Sequence, residues 1–158
     1  MGVEIERKFL VEGDAWRTLG AATLLRQGYL SADPARTVRV RIDGERAFLT
    51  IKGKSVGAAR GEWEYPIPVE EAAELLDGLC LQPLVEKVRR RIAVGPHTWE
   101  VDEFLGANAG LVVAEIELAS EDEAFDKPDW IGREVTGEAR YFNSNLIRHP
   151  YSQWKDSA

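Results

Sequence analysis

The stretch Val3-Glu4-Ile5-Glu6-Arg7-Lys8-Phe9-Leu10-Val11 decides how this chain folds. Residues two apart in a β-strand point to the same side. On that spacing Glu4, Glu6 and Lys8 share one face, while Val3, Ile5, Phe9 and Val11 define the other, with Arg7 among them. The division recurs downstream. Arg39 and Arg41 face away from Val38, Val40 and Ile42, and Thr50, Lys52 and Lys54 oppose Leu49 and Ile51. Glu62 and Glu64 oppose Trp63 and Tyr65. Lys87, Arg89 and Arg91 oppose Val88 and Ile92, and Glu100 and Asp102 oppose Trp99 and Val101. Glu115 and Glu117 oppose Ala114, Ile116 and Leu118.

Alternating segments run over Val3–Val11, Thr23–Ser31, Thr37–Asp43, Ala47–Lys54, Arg60–Pro68, Val85–Val94, Thr98–Leu105 and Leu111–Ala119. Asp33-Pro34, Asp43-Gly44, Gly53 to Gly57 and Gly95-Pro96 supply turns between them. Eight strands at this spacing predict a mainly β (α+β) fold, an eight-stranded antiparallel β-barrel tunnel. A few flanking helices complete it. Val69–Leu79 has apolar residues near helical spacing and acids in its first turn, and Gly137–Arg148 reads as a C-terminal helix stopped before Pro150. No repeat, low-complexity tract or linker divides the chain, so one domain over residues 1–158 is expected.

Each strand carries charge mainly of one sign, and this separates two readings of the polar face. Solvated faces of an ordinary half-buried sheet explain any single strand. Repeated over several strands, like charges at neighbouring positions repel unless an opposite charge sits between them. Metal ions opposite the acids and phosphates opposite the bases would supply that charge. The polar face then lines a wet lumen, and the apolar face needs cover from helices or a second subunit, which makes a homodimer an expectation.

The bulk composition narrows the classes further. The chain is 44% hydrophobic and 30% charged, with mean hydropathy −0.29, as for a soluble globular protein. No apolar run reaches the roughly 18 residues of a membrane span, and charge in MGVEIERKFLV does not suit a signal peptide. Met-Gly is not followed by the Ser or Thr favoured for myristoylation, since the sixth residue is Glu6. The single cysteine, Cys80, reads as a small buried hydrophobe and suits a reducing cytoplasm. A net charge of −7 with no basic stripe argues against broad nucleic-acid binding. Carboxylates suit Mg²⁺ or Mn²⁺, whereas His97 and His149 form no zinc cluster. Arg and Lys suit phosphate oxygens, although GxxxxGK[ST] is absent. Trp63, Trp99 and Trp130 read as cover for the barrel exterior. Trp154 either plugs one mouth or stands in a loose tail, and Arg91 and Lys54 reach the lumen or lie beyond its contents.

Glu4-Ile-Glu6-Arg-Lys8 resembles the N-terminal ExExK signature of the CYTH superfamily, the triphosphate tunnel metalloenzymes. In order follow Gln27-Gly-Tyr29-Leu, Val38-Arg39-Val-Arg41, Thr50-Ile-Lys52, Glu62-Trp-Glu64, Glu86-Lys87-Val-Arg89, Glu100-Val-Asp102 and Glu115-Ile-Glu117. Gly132-Arg-Glu-Val-Thr136 and Tyr141-Phe-Asn143 resemble the family's closing segment, so the likeness covers nearly the whole chain. The resemblance implies an enzyme that hydrolyses a triphosphate with one or two divalent ions. It implies metal ligands at Glu4, Glu6, Glu115 and Glu117, with Glu62, Glu64 and Asp102 for a second metal or for the attacking water. It implies phosphate binding by Lys8, Arg39, Arg41, Lys52, Lys87 and Arg89.

QGYL resembles the short bacterial inorganic triphosphatases, which implies a catalytic dyad of Lys8 and Tyr29 and products pyrophosphate and phosphate. A packed ring that only shapes the tunnel is the other reading of Tyr29. An organic triphosphate enzyme of the same fold (a thiamine triphosphatase or a class IV adenylate cyclase) is an alternative. A non-catalytic polyphosphate-binding module is another.

Overall fold

The computed structural model describes residues 2–154, so Met1 and residues 155–158 of the expected domain span lie outside the described residues. The strands are β1 (Gly2–Val11), β2 (Ala21–Asp33), β3 (Arg36–Asp43), β4 (Arg46–Gly53), β5 (Ala59–Ile67), β6 (Val85–Val94), β7 (His97–Phe104), β8 (Val112–Glu117) and β9 (Ile131–Glu134). Helix α1 (Val69–Gly78) lies between β5 and β6, and the short α2 (Asn143–Leu146) follows β9. Neighbours run β5-β4-β3-β2-β6-β7-β8-β1, all antiparallel, and β1 pairs again with β5. The expected eight-stranded antiparallel barrel is therefore closed.

The seam on β1 is shared. Glu6 N–H donates to the Ala58 carbonyl (3.1 Å), while the Lys8 carbonyl accepts from Val135 N–H (2.8 Å). Residues of equal parity present their backbone groups to the same edge. Hence β5 covers the first half of that edge and β9 the second. Strand β9 is an addition to the expected eight, too short at Ile131–Glu134 for an alternation to stand out.

Much of the apolar packing lies on the outside of the barrel. Phe9, Trp99, Val101 and Ile116 point outward and pack with Trp16 and Trp130. Trp99 meets Phe9 and Trp130 edge to face, with centroids 5.5 and 6.1 Å apart. On another side α1 lays Ala72 and Leu76 over Val40 and Ala47. Gly28 of β2 lies under this layer. A Cβ there would stand 2.7 Å from Leu84 and 2.9 Å from Cys80, so any side chain would lift the layer away.

One end of the lumen is apolar. Val85, Phe104 and Val113 meet Tyr141, Leu146 and Trp154, which closes that end. Trp154 is the plug: 6% exposed, it stacks edge-on to Tyr151 and Tyr141 under the Arg140 guanidinium. The helix expected over Gly137–Arg148 does not form. A 3₁₀ turn at Ala139–Tyr141 gives way to extended Phe142 (ψ 131°), and α2 spans only four residues. Its Asn-rich sequence explains this, because such side chains compete for backbone partners. Asn145 Nδ2 donates to the Ala139 carbonyl at 2.8 Å, and the Asn143 side chain turns to the lumen.

Candidate functional site

The strand order sorts the charges into two walls. Going round the barrel, β7, β8, β1 and β5 are contiguous and bring Glu100, Glu115, Glu117, Glu4, Glu6, Glu62 and Glu64. The other arc, β4, β3, β2 and β6, brings Lys52, Arg39, Arg41, Tyr29, Lys87 and Arg89. Between them lies a cavity of about 230 Å³. Its lining holds seven carboxylates and seven cations, Lys8 and Arg60 on the acidic arc included. The −7 of the whole chain is therefore not an excess of acid around the lumen.

Every candidate site residue lines this cavity except Asp102. Asp102 lies behind the wall at 1% exposure, with Arg89 Nε and Nη2 donating at 2.7 and 2.9 Å and Lys87 Nζ at 2.8 Å. Burial opposes its charge, but Arg89 and Lys87 outweigh it and hold the carboxyl below the usual range. A carboxylate so engaged orients two cations. Among the cations Arg91 is not part of the lining and reaches Asp43 (2.7 Å) and the lining residue Glu100 (3.5 Å), and Lys54 is exposed beyond the end of β4.

The remaining cations divide by how firmly they are held. Lys52 Nζ donates to both Glu4 oxygens (2.9 and 3.1 Å), and burial notwithstanding this keeps Glu4 below the usual carboxyl range. Arg39 and Arg41 approach Glu64 only to 3.8 and 4.0 Å, and the buried Nε of each has no hydrogen-bond partner among the described residues. Burial, with Arg39 and Arg89 nearby, pushes Arg41 down to about 10. Burial pushes Lys87 down to about 8 despite Asp102.

The acidic wall is crowded. Burial and the neighbouring Glu115, with which it shares a side-chain hydrogen bond, raise Glu6 well above the carboxyl range. Lys8, the bond from Glu6, Arg89 and Lys87 outweigh burial and hold Glu115 well below that range. Burial and Glu4 raise Glu62; burial, Glu4 and Glu100 raise Glu117. A divalent cation fits this donor set, since hard oxygens and mutual repulsion both favour one. Among the described residues no three His, Cys, Asp or Glu side chains converge into a ready cage. Magnesium-type ions are commonly held by one or two carboxylates together with substrate phosphates, so an open wall matches that chemistry.

Lys8 and Tyr29 both line the cavity but are held by different neighbours. Lys8 Nζ donates to the Tyr141 carbonyl at 3.2 Å, and Tyr29 Oη accepts from Gln27 Nε2 at 3.4 Å. Glu100 lines the cavity as its place on the charged face predicts, while the sequence reading missed Arg60, Thr136 and Asn143 as lining residues. Parity with Glu62 could have found Arg60. No periodicity reveals Thr136 or Asn143, which reach the lumen from irregular chain.

The CYTH domain model matches residues 2–151. This chain belongs to the CYTH domain family. It is 54% identical to an inorganic triphosphatase of Acetivibrio thermocellus, over 99% of this chain and 100% of that relative. It is 38% identical to an inorganic triphosphatase of Nitrosomonas europaea, over 90% of this chain and 95% of that one. The solved inorganic triphosphatase NE1496 aligns with TM-score 0.64 at 36% identity, covering 93% of this CYTH chain and 95% of that one. Membership of the family implies a divalent metal. No helix among the described residues is long and apolar enough to cross a membrane.

Proposed function

We propose that this chain hydrolyses inorganic triphosphate to pyrophosphate and phosphate in its charged lumen, with Mg²⁺ or Mn²⁺. The observation that carries the reading is the pair of opposed walls, one of carboxylates and one of cations, around a small closed-ended cavity. The inorganic triphosphatases similar to it along nearly their whole length support the same substrate.

Glu4, Glu6, Glu115 and Glu117 would hold the first ion, and Glu62 and Glu64 a second. Bound there, such an ion supplies charge neutralisation on phosphate oxygens and a more acidic water. Arg39, Arg41 and Lys52 cradle the phosphate chain from the basic arc, with Lys87 and Arg89 fixed deeper by Asp102. Asp102 thereby acts on the cations and not as a metal ligand. Lys8 and Tyr29 contact the reacting end. Water attacks the terminal phosphorus, the bridging P–O bond breaks, and its electron pair leaves on pyrophosphate, whose charge the cationic arc stabilises. The folded unit operates as a single domain, and a cytoplasmic location suits its free, buried Cys80. Exposed Leu24, Leu79 and Leu81 on the exterior suit a homodimer.

A cavity of about 230 Å³ falls below the roughly 300–1,000 Å³ of sites that enclose drug-sized ligands. That favours inorganic triphosphate over a thiamine or adenine triphosphate. The test is phosphate release from inorganic triphosphate, ATP and thiamine triphosphate with Mg²⁺ or Mn²⁺, for wild type and Glu117→Gln. Metal-dependent cleavage of inorganic triphosphate, lowered roughly 10²-fold or more in the variant, is expected. Preference for an organic triphosphate would move the substrate. Tight binding of triphosphate with no turnover would leave a binding module.

A further inference from the structure

We propose that Asn143 and Gln27 are positioning residues that turn the Tyr29 hydroxyl proton into the lumen, where it donates to a phosphate oxygen. The inference rests on the reading of Tyr29 as a residue that touches substrate. Tyr141-Phe142-Asn143 stands out in the sequence, and nothing in the reaction as described uses it.

The chain of hydrogen bonds begins at Lys87. An ammonium group has donors and no acceptor. Its Nζ lies 2.9 Å from Asn143 Oδ1 and 2.8 Å from Asp102. Asn143 must therefore present oxygen, because an amide nitrogen there would set donor against donor. The same Oδ1 lies 3.1 Å from the Gln27 side-chain amide, so Gln27 must present Nε2. Nε2 also reaches Tyr29 Oη at 3.4 Å, which makes the hydroxyl an acceptor toward Gln27. Its own O–H is then left for another partner, and Tyr29 lines the cavity.

The cost of this arrangement is visible. Gln27 is fully buried, and its Oε1 has no hydrogen-bond partner among the described residues. An orphaned buried acceptor is unfavourable. Rotating the amide would not relieve it cheaply, since two amide oxygens would then face each other across 3.1 Å. The polarity is imposed from Lys87 outward and ends at the tyrosine.

The test is a set of kcat and KM measurements on inorganic triphosphate with Mg²⁺, alone and on a Tyr29→Phe background. Gln27→Glu keeps the size of the side chain but replaces the donor by an acceptor, so the Tyr29 proton should turn back toward residue 27. Its kcat should fall toward that of Tyr29→Phe, with KM moving less than about threefold, as for an interaction made only in the transition state. Asn143→Leu should lower kcat by about fivefold, the worth of one hydrogen bond. Asn143→Asp retains the acceptor and should lose far less than Asn143→Leu. None of these changes should add a further loss once Tyr29 is Phe. Losses that multiply on that background overturn the relay and leave the triphosphatase reading intact. So does an unchanged kcat in Gln27→Glu and Asn143→Leu when Tyr29→Phe is impaired. Full activity in Tyr29→Phe overturns the role of the tyrosine itself, and the relay with it. Circular dichroism checks the fold of each variant. If Gln27→Glu does not fold, the contrast between Asn143→Leu and Asn143→Asp decides.

Discussion

Strands β3 and β6 each send two cations into the lumen, Arg39 with Arg41 and Lys87 with Arg89, and the two pairs are held in opposite ways. The β6 pair closes on Asp102 at 2.7 to 2.9 Å and is nearly fully buried. Among the described residues the β3 pair meets a single carboxylate, Glu64, at 3.8 and 4.0 Å and keeps two buried Nε atoms without hydrogen-bond partners. Glu64 is itself engaged elsewhere, accepting from Thr50 Oγ1 at 2.8 Å. Residue type and strand parity are alike in the two pairs. What differs is the neighbour across the ladder: Arg89 lies opposite Asp102 on β7, while Arg39 lies opposite Thr50 on β4. One pair is preorganised by the protein, and the other has no counter-charge so close among the described residues.

Removing Asp102's charge should break that contrast with the largest effect. Asp102→Asn leaves Lys87 and Arg89 buried without their main counter-charge and should cost about 3 kcal/mol or more in urea unfolding, as for other broken buried pairs. Stability equal to wild type would mean that the β6 pair is no better anchored than the β3 pair. Arg39→Ala and Arg41→Ala should do the reverse. Each removes charge-assisted bonds worth roughly 1.5–3 kcal/mol, so triphosphate affinity by titration calorimetry should drop about 10- to 100-fold, with unfolding shifted by under about 1 kcal/mol. A large stability loss in either would show that the orphaned arginines carry structural weight after all.

A smaller effect sharpens the comparison through pH. Lys87 is depressed to about 8 in the fold, below the ordinary lysine value. Between those values the unfolded chain binds the extra proton, so this group's contribution to stability rises with pH and is least favourable below about 8. Relative to Lys87→Met, the wild type should gain about 1 kcal/mol between pH 8 and 9 in paired urea titrations. No change in the difference would remove the burial penalty assigned to Lys87.

The barrel was legible because its signal is local. Alternation over Val85–Val94 marks β6 to the residue, and most other strands differ by one or two residues at their ends. Parity also separates inward from outward side chains, which is why so many of the candidate residues line one cavity. Their grouping into walls was not legible, since it depends on which strands become neighbours: β6 lies between β2 and β7, and β1 between β8 and β5. Asp102 shows the limit most clearly. Its parity is that of the lumen, yet long cations on the next strand reach over and bury it. The C-terminal segment was misread for a different reason. Its residues are spaced like a helix but serve as side-chain anchors, with Asn143 on Gln27 and Lys87 and Trp154 in the plug.

The place of β1 between β8 and β5 has a consequence for synthesis. Residues 6–10 of that strand pair with 113–117, and residues 2–5 with 59–62. As the chain leaves the ribosome, β1 emerges long before β8 exists. At roughly 5–20 residues per second it waits on the order of 5 to 20 seconds for that partner. An unpaired strand exposed for so long is a hazard for aggregation, and charge within it is the usual protection. Glu4, Glu6, Arg7 and Lys8 thus guard the nascent strand before three of them come to face the lumen. Charge that lines the lumen of the finished barrel is thus already on the strand while it waits for its partner.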